Sequence, residues 1–83
     1  MSIKVTLLYF GQAREGAGSA KEEFSVPSGS SVDSVMEEVA ARHPGLRKLM
    51  STSQVAVNEE LASGDSKLSD GDVLAVLPPV AGG

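Results

Sequence analysis

The sequence predicts an α+β fold in which one mixed β-sheet carries a single main helix on one face. Three observations lead there. Ile3 to Phe10 alternates in the manner of a strand, with Ile3, Val5, Leu7 and Tyr9 on one face. Val32, Val35, Met36, Val39 and Ala40 follow the i, i+3, i+4, i+7, i+8 spacing of one helix face. Val73 to Leu77 is apolar on both faces, the pattern of a central or parallel strand.

In chain order, the first strand is apolar on one face throughout and on the other only in its second half, where Leu8 and Phe10 follow Lys4 and Thr6. That suits a central strand covered more on one side. Tyr9 and Phe10 are expected in the core. Gly11 to Ser19 holds three glycines and reads as a loop. Lys21 to Val26 is a more polar strand, with Phe24 and Val26 on its buried face, and is expected to pair with the first. Pro27-Ser28-Gly29 is a turn. Ser30 and Asp33 stand three apart at the head of the helix, as in a capping box. The helix stops at His43-Pro44-Gly45, because proline disfavours helix in the residue before it. His43 is expected to stabilise that helix end through the dipole rather than to act chemically.

Leu46 to Met50 suggests a short helical turn, and Gln54 to Asn58 a short strand with Val55 and Val57 pointing one way. Asn58-Glu59-Glu60 is turn-like, Leu61 to Leu68 is mostly irregular, and Asp70-Gly71-Asp72 turns into the last strand. If that last strand runs parallel to the first and the helix crosses one face, the result is a β-grasp, or ubiquitin-like, roll. A split βαβ ferredoxin-like arrangement would need a second long helix, which Leu61 to Asp72 does not supply. The expected organisation is a β-grasp domain over residues 1–77 and an extended tail over 78–83.

Composition narrows the function. The chain has 83 residues, enough for one domain with a modest core. It has no cysteine, which removes disulfides, thiolate metal sites and a cysteine nucleophile. A single histidine removes any site needing two. Seven Lys and Arg against eleven Asp and Glu give a net charge of −4, with one tyrosine and two phenylalanines. Such a chain is poorly suited to nucleic acid, which rewards basic patches and stacking aromatics. No leader pattern precedes Ile3, and no apolar run approaches the roughly 20 residues of a membrane span. A cytoplasmic carrier, binding module or subunit is expected.

Several motifs fail on inspection. Gly16-Ala17-Gly18 lacks the third glycine of a dinucleotide fingerprint, and no phosphate-binding P-loop is present. Glu22-Glu23, Glu37-Glu38 and Glu59-Glu60 read as solvated acidic pairs. Asp65, Asp70 and Asp72 lack the spacing and closing glutamate of a calcium loop. No metal and no cofactor is expected on this chain.

The end of the chain, Pro78-Pro79-Val80-Ala81-Gly82-Gly83, is the feature that remains. Two prolines favour a stiff, extended neck. Beyond Val80 the side chains shrink and then vanish, giving a thread able to enter a narrow active site. Its only reactive group is the α-carboxylate of Gly83. A carboxylate is a poor electrophile until it is converted to an acyl-adenylate, after which it accepts sulfur or an amine. With no nucleotide site in the chain, that activation must occur in trans.

The sequence resembles the small subunit of molybdopterin synthase, the sulfur carrier of molybdenum-cofactor synthesis. Lys4 to Phe10, with Arg14-Glu15 and Gly18, is similar to that family's opening strand and Y-F-A-x-x-R-E-x-x-G motif, with Gly11 in place of alanine. Ala56-Val57-Asn58 is similar to its A-V-N strand. Leu68 to Asp72, Ala75 and Pro78 to Gly83 resemble its L-x-D-G-D-x-x-A-x-x-P-P-V-x-G-G ending. Val73 stands where members often carry glutamate, and Val76-Leu77 where many carry an aromatic residue.

The resemblance implies that an E1-like enzyme, using ATP, adenylates Gly83, and that a sulfur donor protein then converts the terminus to a thiocarboxylate. It further implies that the large synthase subunit receives the tail and supplies the catalytic side chains. Sulfur would pass to cyclic pyranopterin monophosphate in a heterotetramer of two large and two small subunits. Gly83 is then the reacting residue. Val76, Leu77, Pro78, Pro79, Val80, Ala81 and Gly82 are the expected partner-binding residues, with Val76, Leu77 and Val80 in an exposed apolar patch. Two other functions fit the residues. One is a sister carrier for thiamine or tRNA thiolation, or a ubiquitin-like protein modifier. The other is a non-covalent β-grasp interaction domain.

Overall fold

A computed structural model of the chain describes residues 1–79. One five-stranded sheet runs in the spatial order β2-β1-β5-β3-β4. Its strands are β1 (Ser2–Tyr9), β2 (Lys21–Pro27), β3 (Gln54–Val57), β4 (Glu60–Leu61) and β5 (Val73–Leu77). The helices are α1 (Gly11–Ala17), α2 (Val32–Arg42) and α3 (Arg47–Met50), with a 3₁₀ turn at Pro44–Leu46 leading into α3. β1 pairs antiparallel with β2 and parallel with β5, while β3 pairs antiparallel with β5 and β4. This is the expected β-grasp roll, with the last strand central.

The core lies between the sheet and α2. Val5, Leu7 and Tyr9 of β1, Phe24 and Val26 of β2, and Leu74 and Val76 of β5 meet Val32, Val35 and Val39 of α2 there. Period-2 and period-3.6 apolar patterns thus fall on the faces they predict. Among the described residues, no comparable layer covers the opposite sheet face. Val73, Ala75 and Leu77 are therefore only half-buried, although their strand is central. Alternation places Phe10 on that side as well. It is 48% exposed, against the expectation of a core position.

The segment expected to be a loop forms α1. Its glycines have positional reasons. Gly11 opens the helix at φ +53°, and Gly18 closes it at φ +78° while donating to the Arg14 carbonyl. Gly16 lies so close to Leu46 that a Cβ would collide with the leucine side chain. Ala13 is fully buried. Tertiary packing therefore holds a helix that propensity disfavours.

The α2 cap sits one residue later than the Ser30–Asp33 expectation. The Ser34 amide donates to Ser31 Oγ at 3.3 Å, and the Ser31 amide donates to Ser34 Oγ at 3.0 Å. Ser30 is engaged elsewhere, its hydroxyl donating to the Pro27 carbonyl at 2.6 Å. The two-residue connection Asn58-Glu59 has φ of 51° and 72°, the left-handed backbone required by the tightest hairpin turns. Leu61 to Leu68 is mostly irregular as expected, apart from Leu61 itself, which ends β4.

Candidate functional site

The site begins with the strand that carries the tail. The start of β5 is held by its neighbours and by one side-chain relay. Asn58 Oδ1 accepts from the Val73 amide at 3.0 Å, and Asn58 Nδ2 donates to Asp72 Oδ1 at 3.0 Å. Asp72 Oδ2 accepts from the Ser69 amide at 2.8 Å. On the β1 side, the Thr6 amide donates to the Asp72 carbonyl, and the Lys4 amide donates to Asp70 Oδ1 at 2.8 Å. The Asp70-Gly71-Asp72 turn therefore uses its carboxylates to fix the strand start. Among the described residues, no three His, Cys, Asp or Glu side chains gather as metal ligands.

From that start β5 runs between β1 and β3, with Tyr9 opposite Val76 and Gln54 opposite Leu77. Pro78 is half-buried and Pro79 is exposed, so the chain leaves the sheet at its centre. Val80, Ala81, Gly82 and Gly83 lie outside the described residues. The expected patch needs one correction. Val76 is fully buried on the α2 side, because alternation along β5 aligns it with Leu74 and with Tyr9. Its side chain belongs to the core and cannot meet a partner. Leu77 lies on the other face and remains partly accessible.

The accessible apolar surface is the uncovered sheet face. The registers Thr6↔Val73 and Leu8↔Ala75 place these side chains together there, with Ala56 buried beside Ala75 and with Leu77 and Phe10 extending the strip towards the tail. Leu8, Val73, Ala75, Asn58 and Glu59 line a shallow hollow of about 380 Å³ on it. Leu8, Ala75 and Phe10 are the residues that sequence reasoning left out of the site. Their signal was in the sequence, as the second apolar face of β1 and β5.

A polar cluster sits on the α2 side. Glu22 Oε1 accepts from the Tyr9 hydroxyl at 2.9 Å and lies 2.8 Å from His43 Nε2, and Glu22 Oε2 is 3.4 Å from Arg42. Burial pushes the Glu22 carboxyl up, but the hydrogen bonds from His43, Tyr9 and Arg42 outweigh it and hold the group below the usual carboxylate range. Burial, then the Glu22 hydrogen bond and charge, push the Tyr9 phenol well above its ordinary value. Glu22 is thus no solvated carboxylate, and His43 contributes through Glu22 as well as through its place at the helix end. The Arg42 guanidinium also stacks on the Phe24 ring at 4.2 Å.

The ThiS family model matches residues 7–83. The molybdopterin synthase sulfur carrier subunit of Chlamydomonas reinhardtii is 38% identical, covering all of both chains. That of Mycobacterium tuberculosis is 39% identical, over 98% of this chain and 99% of the relative. Among solved structures, a putative molybdopterin converting factor subunit 1 from Pyrococcus furiosus superposes with a TM-score of 0.87 at 35% identity, covering 94% of this chain and 99% of that one. SAMP1 from Haloferax volcanii superposes with a TM-score of 0.87 at 26% identity, covering 96% and 99%. A chain from the complex of subunits 1 and 2 of the molybdopterin-converting factor of Helicobacter pylori gives a TM-score of 0.66 at 27% identity, covering 98% and 100%. The chain belongs to the ThiS family, and its curated relatives are molybdopterin synthase sulfur carrier subunits.

Proposed function

We propose that the chain carries sulfur for molybdenum-cofactor biosynthesis as the small subunit of molybdopterin synthase, with the Gly83 carboxylate as the attachment point. One observation carries the reading. The strand that ends in the Pro-Pro neck is the central strand of the sheet, clamped at its start and flanked by an uncovered apolar face. A rigid body, a docking face and a narrow terminal thread are what a carrier needs when its partners hold the catalytic groups. The full-length similarity to sulfur carrier subunits supports the same assignment.

The chemistry is then confined to the terminus. An oxygen of the Gly83 carboxylate attacks the α-phosphorus of ATP on an E1-like enzyme, releasing pyrophosphate and forming the acyl-adenylate. A persulfide sulfur of the donor protein attacks the carbonyl and displaces AMP. Cleavage of the resulting acyl persulfide by a thiol leaves the thiocarboxylate. In the synthase, the large subunit takes up the tail, and sulfur passes to cyclic pyranopterin monophosphate. The chain itself holds no cofactor, contacts neither nucleic acid nor membrane, and works in the cytoplasm. Among the described residues, no helix is long and apolar enough to cross a membrane.

Docking of the large subunit falls on Leu8, Ala75, Leu77 and Phe10, with Pro78, Pro79, Val80, Ala81 and Gly82 leading Gly83 into its active site. The H. pylori neighbour comes from a complex of the two converting-factor subunits, which supports this pairing. The alternative reading of the same terminus is attachment of the activated Gly83 to protein amines. Intact-mass spectrometry after incubation with the cognate activating enzyme, ATP and a sulfur donor tests the assignment. Replacement of one terminal oxygen by sulfur is expected. No such species, or isopeptide-linked lysines on target proteins without it, overturns the carrier role.

A further inference from the structure

The chain has three methionines, and the two internal ones line one crevice at the β3–β4 edge of the sheet, where α2 and α3 pack beside it. Met36 from α2 and Met50 from the end of α3 form its floor with Val32 and Val55. Leu61, 65% exposed, stands at the β4 edge, and Ser53, Gln54 and Gly64 complete the rim. The volume is about 300 Å³, enough for one large aliphatic side chain. A second furrow of about 320 Å³ shares Asp33, Met36 and Met50 and continues past Glu37 to Arg47.

The α2 wall of this furrow is acidic. Asp33 and Glu37 are exposed, and among the described residues neither side chain makes a hydrogen bond or ion pair. Gly64 keeps the Asp33 carboxylate at the mouth, since a Cβ there would collide with it. Arg47 on the opposite wall is the single cation among the lining residues. Methionine side chains adapt their shape to an inserted group and recur at surfaces that accept peptides. An aliphatic anchor fits the floor, and a cationic neighbour fits the wall.

We propose that the crevice between α2 and the β3–β4 hairpin is a second docking site, for an extended peptide segment of another protein that presents an aliphatic side chain flanked by Lys or Arg. It accepts this segment independently of the sheet face, so the large subunit and the peptide bind together. The cationic flank pairs with Asp33 and Glu37 while the aliphatic group displaces water from Met36 and Met50.

The test is a titration of the full chain, labelled with ¹³C at the methionine methyls, with the peptide acetyl-Gly-Lys-Leu-Lys-Gly-amide and with its counterpart carrying Glu in place of Lys. Saturable shifts of Met36 and Met50 are expected, at least tenfold weaker for the acidic peptide. They should persist when the sheet face is saturated with large subunit. The double variant Asp33→Asn, Glu37→Gln should weaken binding of the basic peptide at least fivefold while the chain stays folded by circular dichroism, its melting temperature falling only by the few degrees that loss of the Asp33 charge in the first turn of α2 accounts for. Four results overturn the proposal: no saturable shift at either methionine, equal binding of both peptides, loss of the shifts with large subunit bound, or the same shifts caused by raising the chain's own concentration, which would place a second copy there. The peptide titrations, the acidic counterpart and the double variant depend on neither thiocarboxylation nor the large subunit, so they stand apart from the carrier assignment; the co-binding arm alone rests on it.

Discussion

The Tyr9 hydroxyl donates a 2.9 Å hydrogen bond to Glu22 Oε1, joining the end of β1 to the edge strand beside it. The same oxygen lies 2.8 Å from His43 Nε2 at the end of α2. Glu22 therefore ties the sheet to the helix at the end from which the tail departs. A group held below its ordinary value stabilises the fold above that value, near 4.5 here, and the contribution fades as pH falls through the depressed folded value. Glu22→Gln should cost about 2 kcal/mol at neutral pH. The difference from the parent chain should shrink in acid, as read by urea denaturation across pH.

Tyr9 gives the complementary behaviour at high pH. Its phenol is raised, so the folded state keeps the proton where the unfolded chain begins to lose it, near 10. Stability present below that value should decline as pH rises beyond it. The chain has one tyrosine, so ultraviolet titration reads it alone. Phenolate absorbance is expected to rise together with loss of the far-ultraviolet circular dichroism signal, and not before it.

Leu8 faces the uncovered sheet surface opposite Ala75 and beside Lys21 of β2. Leu8→Asp should weaken binding of the large synthase subunit about thirtyfold or more, as loss of an anchor residue does. The melting temperature should change little. Isothermal titration calorimetry and thermal denaturation together check both halves.

Val76 separates packing from docking. Val76→Ala removes buried methyl groups and should destabilise the fold by about 1–3 kcal/mol. Affinity for the large subunit, measured where both proteins remain folded, should be unchanged. A large affinity loss would return Val76 to the interface.

One residue added after Gly83 displaces the reacting carbonyl and should abolish sulfur transfer. Stability should match that of the parent chain. Single-turnover transfer assays with the extended chain check this directly.

Much of this architecture was legible in the sequence because its signals are local and periodic. The faces of β1, the stripe on α2 and the double-sided apolar character of β5 each follow from which side chains must avoid water. The terminal Pro-Pro-Val-Ala-Gly-Gly was equally plain. α1 was not, because what holds it is remote in sequence: Gly16 against Leu46, and Ala13 in the core. Glu22 looked like half of a solvated acidic pair because its partner His43 lies 21 residues away. Val76 and Leu77 looked equivalent as neighbours in an apolar run. Only the register with β1 and β3 shows that one faces inward and the other outward.

The placement of β5 also has a mechanical consequence. A partner that grips the tail pulls along the axis of a strand hydrogen-bonded on both sides, parallel to β1 and antiparallel to β3. Such a load shears two ladders at once instead of unzipping one bond at a time. If the tail enters an enzyme as proposed, the direction of that pull is the direction in which the body resists being unravelled. The carrier can be tugged at its working end, turnover after turnover, and remain a rigid handle.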